Sequence, residues 1–305
     1  MSTLPPGVER GYPLARLTTI RTGGRAEFFA RAGSLDVLER LLQWAAAAGH
    51  RVGVVGSGSN LLVADEGVRG LVLKLDGEFN KIEVAGRRIS CGAGARLPAV
   101  AARAAQAGLE GIEFGVSIPG TVGGAVRMNA NAYDGELARV LEWVEVVTPT
   151  GTERRTPAEL GFSYRRSSVA PGEVVAFASF QLRPAPPKEV KARLADLRAR
   201  RKDTQPSGIR TFGSTFKNPD DPRAGGRTAG QLLEAAGCRG LRVGGAGVSL
   251  KHANFIENYG DATTAEVVAV MAEGRARVRQ QFGIELEPEV QALGPVAFPS
   301  GWSER

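Results

Sequence analysis

The chain of 305 residues is poor in the side chains that build metal and disulfide frameworks. It has two cysteines, Cys91 and Cys238, and two histidines, His50 and His252. The cysteines lie far apart and no Cys-x-x-Cys occurs, so neither a disulfide scaffold nor a structural zinc site is expected. His-Glu-x-x-His is absent too, and no metal is expected. No apolar run approaches the roughly 20 residues that cross a bilayer, so membrane insertion is not expected. Residues 1–17 lack the continuous apolar stretch of a secretory leader. A cytoplasmic, reducing setting is the default. A monomer is the working expectation, though nothing in the sequence fixes the oligomeric state. The most basic segment, 188–202, carries Lys188, Lys191, Arg193, Arg198, Arg200, Arg201 and Lys202 but no aromatic residue. Base stacking has nothing to rest on there, and a solvated helix between domains is preferred to a nucleic-acid interface.

What the chain does have is apolar residues, glycine and positive charge. A hydrophobic fraction of 43% is ample for a buried core, and the length favours about two domains. Forty glycines imply tight turns or close backbone approaches to a ligand. The net charge of +7 suits an acidic partner such as a nucleotide or pyrophosphate, or serves solubility alone.

Hydrophobic periodicity outlines an α/β chain. A strand at 27–31 precedes a helix capped by Ser34, with Leu35, Leu38, Leu41, Leu42 and Ala45 on one face and Gly49 at its end. Residues 52–55 and 61–64 read as strands around the turn Gly56–Asn60. Further strands are expected at 71–75, 82–85, 88–91, 140–148 and 173–182, and a helix at 97–107. Residues 111–124 show few periodic signals. Composition breaks fall at 184–187 and 205–208 and flank the basic helix. Beyond them, Ser214–Phe216 is strand-like, and helices are expected at 228–237 and 264–282. Thr263 with Glu266 offers a capping box for the last helix. A closing strand is expected over 284–293.

Two glycine-rich segments stand out. Gly56-Ser57-Gly58-Ser59-Asn60-Leu61 begins like a dinucleotide fingerprint but leads into an apolar strand rather than a helix, so it is not a Rossmann turn. No Gly-Lys-Ser/Thr is present for a Walker loop. What remains is a run of backbone N–H groups and hydroxyls that either cradles a pyrophosphate or simply turns the chain. Ser117-Ile118-Pro119-Gly120-Thr121-Val122-Gly123-Gly124-Ala125 is the second, and singly it reads as a structural loop.

Together the two loops resemble the flavin-binding domain of the vanillyl-alcohol-oxidase type, in which FAD lies between two α/β subdomains. Further segments sharpen the likeness. These are 18–24 (TTIRTGG), 26–29 (AEFF), 126–133 (VRMNANAY), 162–167 (FSYRRS), 213–219 (GSTFKNP), 248–249 with 252–256 (HANFI), and 286–290 (LEPEV). In this order, over about 17–294, they resemble the UDP-N-acetylenolpyruvoylglucosamine reductase family. The short interval between Arg165 and Ser214 is similar to the branch that lacks an inserted substrate-covering loop. Three departures stand: Asn131 where a Gly is common, Gln291 where an Arg is common, and Thr211-Phe212 where small residues usually precede Gly-Ser.

The resemblance implies an α+β fold, with a flavin subdomain at 1–66 joined by the returning tail 291–305, a second at 67–203, and a C-terminal α/β substrate domain at 204–290. It implies non-covalent FAD on Gly56, Ser57, Gly58, Ser59, Asn60 and Leu61 and on Ser117, Ile118, Pro119, Gly120, Thr121, Gly123, Gly124 and Ala125. It implies NADPH and UDP-N-acetylenolpyruvoylglucosamine using one pocket in turn. Arg165, Ser214 and Glu289 become the catalytic candidates. A planar, permanent cation suits a carboxylate whose charge grows during hydride addition. Serine suits proton delivery to a basic carbon. A protonated Glu289 would donate a hydrogen bond to the same charge, which needs a raised pKa. Without the resemblance, Arg165 reads as a surface residue, Ser214 as a turn residue, and Glu289 as one of three alternating solvent carboxylates with Glu285 and Glu287. Tyr164, Lys217, Asn218 and Lys251 are candidates for substrate contact. A covalent flavin oxidase on the same fold would want a His or Cys linker, and no His lies in 51–251.

Overall fold

The computed structural model describes residues 4–300 and residue 302. The chain divides into two compact units. One gathers the residues up to Gly11, Glu27–Ser57 and Arg69–Arg201. The other gathers Tyr12–Ala26, Gly58–Val68 and the chain from Lys202 onward.

The first unit holds two sheets around one core. Four strands in the order Val8–Pro13, Arg25–Ala32, Val68–Leu75, Val52–Val54 form the first sheet. Val52–Val54 runs parallel to Val68–Leu75, with Val52 opposite Leu71. Leu71, Val72 and Leu73 are fully buried, as an inner strand with both faces covered requires. Helix α1 (Leu35–Ala47) starts where the Ser34 hydroxyl accepts from Val37 N–H, and it buries Leu38, Leu41, Leu42 and Ala45. Five antiparallel strands form the second sheet, in the order Gly151–Arg155, Leu141–Thr148, Val174–Gln181, Arg88–Gly92, Ile82–Ala85. Helix α2 (Leu97–Gln106) ends ahead of Gly108, whose φ of +67° breaks the helix. Phe28, Leu42, Leu73, Phe79, Ile89, Val126 and Phe180 belong to one continuous core. Helix α3 (Val122–Arg127) lies in that core, while helix α4 (Pro187–Thr204) buries only Val190 and Leu194 and leaves its basic face in solvent.

In the second unit, helix α5 (Ala229–Ala235) and helix α6 (Thr264–Phe282) pack with a three-stranded sheet of Arg242–Val243, Ala246–Val248 and Ile256–Asn258. The capping box of Thr263 and Glu266 forms, and Gly283 stops α6 at φ +68°. The Asp65 carboxylate adds a second cap, accepting from Thr264 N–H at 2.8 Å and Ala265 N–H at 2.9 Å. Leu61–Val63 pairs in parallel with Gln291–Leu293. Of the expected returning tail, residues 301 and 303–305 lie outside the described residues, as do residues 1–3 of the expected first subdomain.

Three elements differ from the sequence expectation. The closing strand shrinks from 284–293 to Gln291–Leu293. Ile284 and Leu286 are buried and Glu285 and Glu287 exposed, but the alternation fails at Pro288, which has no N–H for a ladder. Glu289 is half-buried, not solvent-facing like Glu285 and Glu287. Ser214–Phe216 makes only single bridges, Ser214 with Phe255 and Phe216 with Pro288. The aperiodic segment 111–124 holds a 3-10 turn, Glu113–Ser117, and the start of α3, both too short to show a period.

Candidate active site

The strands that flank Gly56–Asn60 belong to different sheets, so this segment is a passage between them and not a hairpin. Within the first unit Gly56 lies against the second glycine-rich segment, where an added Cβ would stand 2.4 Å from Thr121 Oγ1. The Gly56 carbonyl accepts from Lys74 Nζ at 2.6 Å. Burial holds the Lys74 amine below its usual range, with Arg31 and Arg96 adding to the effect against Asp76. Sequence reading passed over Lys74; its signal was a charge inside the apolar run 71–75. In the second unit Gly58 adopts φ +67°, with Leu17 and Thr18 backbone too close for any side chain. Asn60 bonds through Nδ2 to the Glu289 carbonyl at 3.1 Å, and its own carbonyl accepts from Gln291 N–H. Leu61 opens the strand Leu61–Val63. Ser57 and Ser59 are half-buried.

The second glycine segment is held at both sides. Arg96 donates to the Pro119 carbonyl at 3.1 Å, and Leu97 N–H to the Gly120 carbonyl at 3.0 Å. The carbonyl of buried Ser117 accepts from Arg201 at 2.5 Å. Arg201 is another residue that sequence reading treated only as part of a solvated helix. Ile118 donates its N–H to the Gly115 carbonyl. Thr121 caps α3, its hydroxyl accepting from Gly124 N–H at 3.4 Å. Gly123 packs on Ala93, with its N–H bonded to the Ala93 carbonyl at 2.8 Å, and Ala125 is buried. The result is a glycine-lined, backbone-rich surface next to Gly56. That chemistry fits a phosphorylated, flat dinucleotide better than a side-chain-gripped ligand.

Arg165 sits in a pinched turn of the first unit. Ser163 and Arg166 exchange both backbone hydrogen bonds at 3.1 Å, which leaves Tyr164 and Arg165 at the tip. Arg165 has φ +59°. Its Nη1 donates to Asn131 Oδ1 at 2.8 Å, and its guanidinium lies 5.1 Å from the exposed Tyr164 ring.

In the second unit, Ser214–Lys217 threads between 254–255 and 287–289. Thr215 N–H donates to the Asn254 carbonyl at 2.8 Å, and Glu289 N–H to the Thr215 carbonyl at 2.8 Å. Asn254 clamps Phe216 from both sides, accepting from its N–H at 2.9 Å and donating to its carbonyl at 2.8 Å. Ser214 and Glu289 are therefore set on neighbouring, mutually bonded segments, both half-buried. The other candidates have structural partners. Lys217 meets Glu287 at 3.3 Å. Asn218 Oδ1 accepts from Ala229 N–H, the first residue of α5, and Lys251 Nζ donates to the Lys202 carbonyl.

Known proteins bear on this arrangement directly. Residues 26–157 match the family model of an FAD-binding domain, and residues 205–293 that of the UDP-N-acetylenolpyruvoylglucosamine reductase C-terminal domain. The chain is 43% identical over 292 residues to UDP-N-acetylenolpyruvoylglucosamine reductase 2 of Symbiobacterium thermophilum, covering 95% of this chain and 93% of the relative. The chain belongs to the UDP-N-acetylenolpyruvoylglucosamine reductase family. A second member, from Paramagnetospirillum magneticum, is 45% identical, with 92% of this chain and 90% of that one covered. The crystal structure of the Thermus caldophilus reductase superposes with a TM-score of 0.81 at 38% identity, covering 94% of this chain and 98% of that one. The α+β fold with an FAD-binding domain and the family's C-terminal domain is thus the fold of this chain. Among the described residues no cluster of metal-binding side chains occurs, and no helix is long and apolar enough to cross a membrane.

Proposed function

We propose that the chain reduces the enolpyruvyl group of UDP-N-acetylenolpyruvoylglucosamine to give UDP-N-acetylmuramate, with NADPH as electron donor and non-covalent FAD as mediator. The observation that carries the proposal is coverage. Relatives of this name match nearly the whole chain, 95% and 92% of it in two cases. The division expected from the sequence remains part of the proposal: flavin subdomains at 1–66 with the tail and at 67–203, and a substrate domain at 204–290.

FAD would rest on Gly56–Leu61 and Ser117–Ala125. The chemistry it supplies when bound is a hydride for the terminal carbon of the enolpyruvyl group. The residues of the chain then have three tasks. Arg165 holds the carboxylate and stabilises negative charge as it moves onto it. Ser214 gives its hydroxyl proton to the neighbouring carbon and regains one from solvent. Glu289, in its acid form, donates a hydrogen bond to the developing enolate. Tyr164, Lys217, Asn218 and Lys251 are proposed to contact substrate, the two lysines after release from Glu287 and the Lys202 carbonyl. The non-covalent link is supported by the state of every candidate linker. Cys91 is buried and its thiol pushed up to about 12 by desolvation. Cys238 is buried, His50 is packed between Phe28 and Trp44, and His252 Nδ1 accepts from Asn254 N–H.

The test is NADPH oxidation by the purified, flavin-loaded protein with and without UDP-N-acetylenolpyruvoylglucosamine. Oxidation that requires this substrate is the expected result. A folded, FAD-loaded protein that ignores it would leave the family assignment standing and remove the reaction.

A further inference from the structure

We propose that Asn131 is a positioning residue whose side-chain oxygen aims the Arg165 guanidinium at the substrate carboxylate. The inference rests on the role proposed above for Arg165 and goes beyond it, because it names what fixes that cation and why the fixing group is neutral.

Arg165 occupies the left-handed region, which strains a side chain with a Cβ and persists only where the surroundings hold it. Two groups that hold this turn are on one segment. Asn129 Nδ2 donates to the Ser163 carbonyl at 3.1 Å, and Asn131 Oδ1 accepts from Arg165 Nη1 at 2.8 Å, with the Asn131 carbonyl at 3.5 Å from the same nitrogen. The segment is itself stiff. Asn131–Ala132 pairs with Gly135–Glu136, and Asn129, Tyr133 and Asp134 all have positive φ. Asn131 thus transmits a rigid hairpin to the end of a long side chain. An unrestrained arginine loses rotamer freedom when it is oriented for a planar anion, and an acceptor on its terminal nitrogen removes much of that cost.

Neutrality is the second half of the argument. An amide oxygen orients a guanidinium and leaves its charge intact, whereas a carboxylate at the same place would pair with it and compete with the substrate.

Three variants of the holoenzyme test this: Asn131→Ala, Asn131→Asp and Asn131→Ser. Each is first checked for bound FAD and for its melting temperature. The Ala variant is expected to lose about tenfold in kcat/KM for UDP-N-acetylenolpyruvoylglucosamine, about 1.4 kcal/mol. The near-isosteric Asp variant keeps the acceptor but cancels the charge, and it is expected to lose about a hundredfold. Ser, a shorter neutral acceptor, should fall between Ala and wild type, and it carries the test if the Asp variant fails to fold. Affinity for UDP-N-acetylmuramate by calorimetry should fall in the same order. Flavin reduction by NADPH alone should fall less than turnover in all three, because NADPH brings no carboxylate for Arg165 to hold. An Asp variant equal to wild type beside an impaired Ala variant would make Asn131 a purely structural acceptor and overturn the proposal, as would an unimpaired Ala variant. A wild-type arm without substrate turnover is a different failure: it removes the proposed reaction itself, and the positioning role with it.

Discussion

Thr215 buries a hydroxyl that finds no hydrogen-bond partner among the described residues, one position from Ser214. An unsatisfied buried hydroxyl costs about 1–3 kcal/mol, and valine has the same shape without it. Thr215→Val is therefore expected to raise stability by about 1 kcal/mol, or about 2 °C in melting temperature for a chain of this size. An unchanged or lower melting point in a thermal scan would mean that the hydroxyl is satisfied in solution. Arg165 gives the opposite kind of prediction. Lysine keeps the charge but not the planar fork that Asn131 grips, so Arg165→Lys should fold normally yet lose about a hundredfold or more in kcat/KM. Wild-type turnover by that variant would show that a point charge is enough. At this scale the sequence was legible only through motifs. Arg165, Ser214 and Glu289 stood out as family positions, but the Asn131 contact joins residues 34 apart in sequence, and no local spacing announces it.

Elements are held by groups the periodicity could and could not reveal. Helices α1 and α6 were readable because their caps and apolar stripes are local: Ser34, Thr263 with Glu266, and Gly283 all act within a turn of the helix end. Asp65, which caps α6 from about 200 residues upstream, was not readable, since it depends on a distant partner. The break of the last strand at Pro288 is local and legible, because a proline has no N–H to give a ladder. The strand Gly151–Arg155 shows how such a tie becomes measurable. Arg155 donates to Glu173 at 2.8 and 2.6 Å, and Ala170 N–H donates to the same carboxylate at 2.8 Å. The Arg155 hydrogen bonds, opposed by partial burial, hold the Glu173 carboxyl below its ordinary value of 4.5. A carboxyl depressed in the folded state stabilises above its unfolded pKa, and the contribution is lost as pH falls through the folded value. Glu173→Gln should cost about 2 kcal/mol at neutral pH. Below pH 4.5 it should lose stability less steeply than the wild type, and parallel denaturation curves across that window would refute the assignment.

The whole molecule is where the sequence was least legible. Segments 12–26 and 58–68 belong to the same compact unit as the chain after Lys202, although in sequence they fall between segments of the other unit. Chain order does not show this, because what gathers them is pairing such as Leu61–Val63 with Gln291–Leu293. Of the proposed flavin-contacting residues, Gly56, Ser57 and Ser117–Ala125 belong to one unit and Gly58–Leu61 to the other. A non-covalent ligand that binds only the folded chain stabilises it by mass action, about 2.7 kcal/mol at a free concentration 100 times its Kd. Added FAD should therefore raise the melting temperature of flavin-stripped protein progressively with concentration. Gly58→Ala should blunt that rise, since its backbone conformation and its contact with Leu17 and Thr18 admit no Cβ. Denaturation followed by filtration should release all of the flavin, because Cys91 is buried with its thiol held protonated and both histidines are packed among neighbouring groups. Flavin retained on the unfolded chain would overturn the non-covalent assignment. A melting point indifferent to FAD would remove FAD binding by this chain, whereas a Gly58→Ala variant that responds like the wild type would move the cradle away from Gly58.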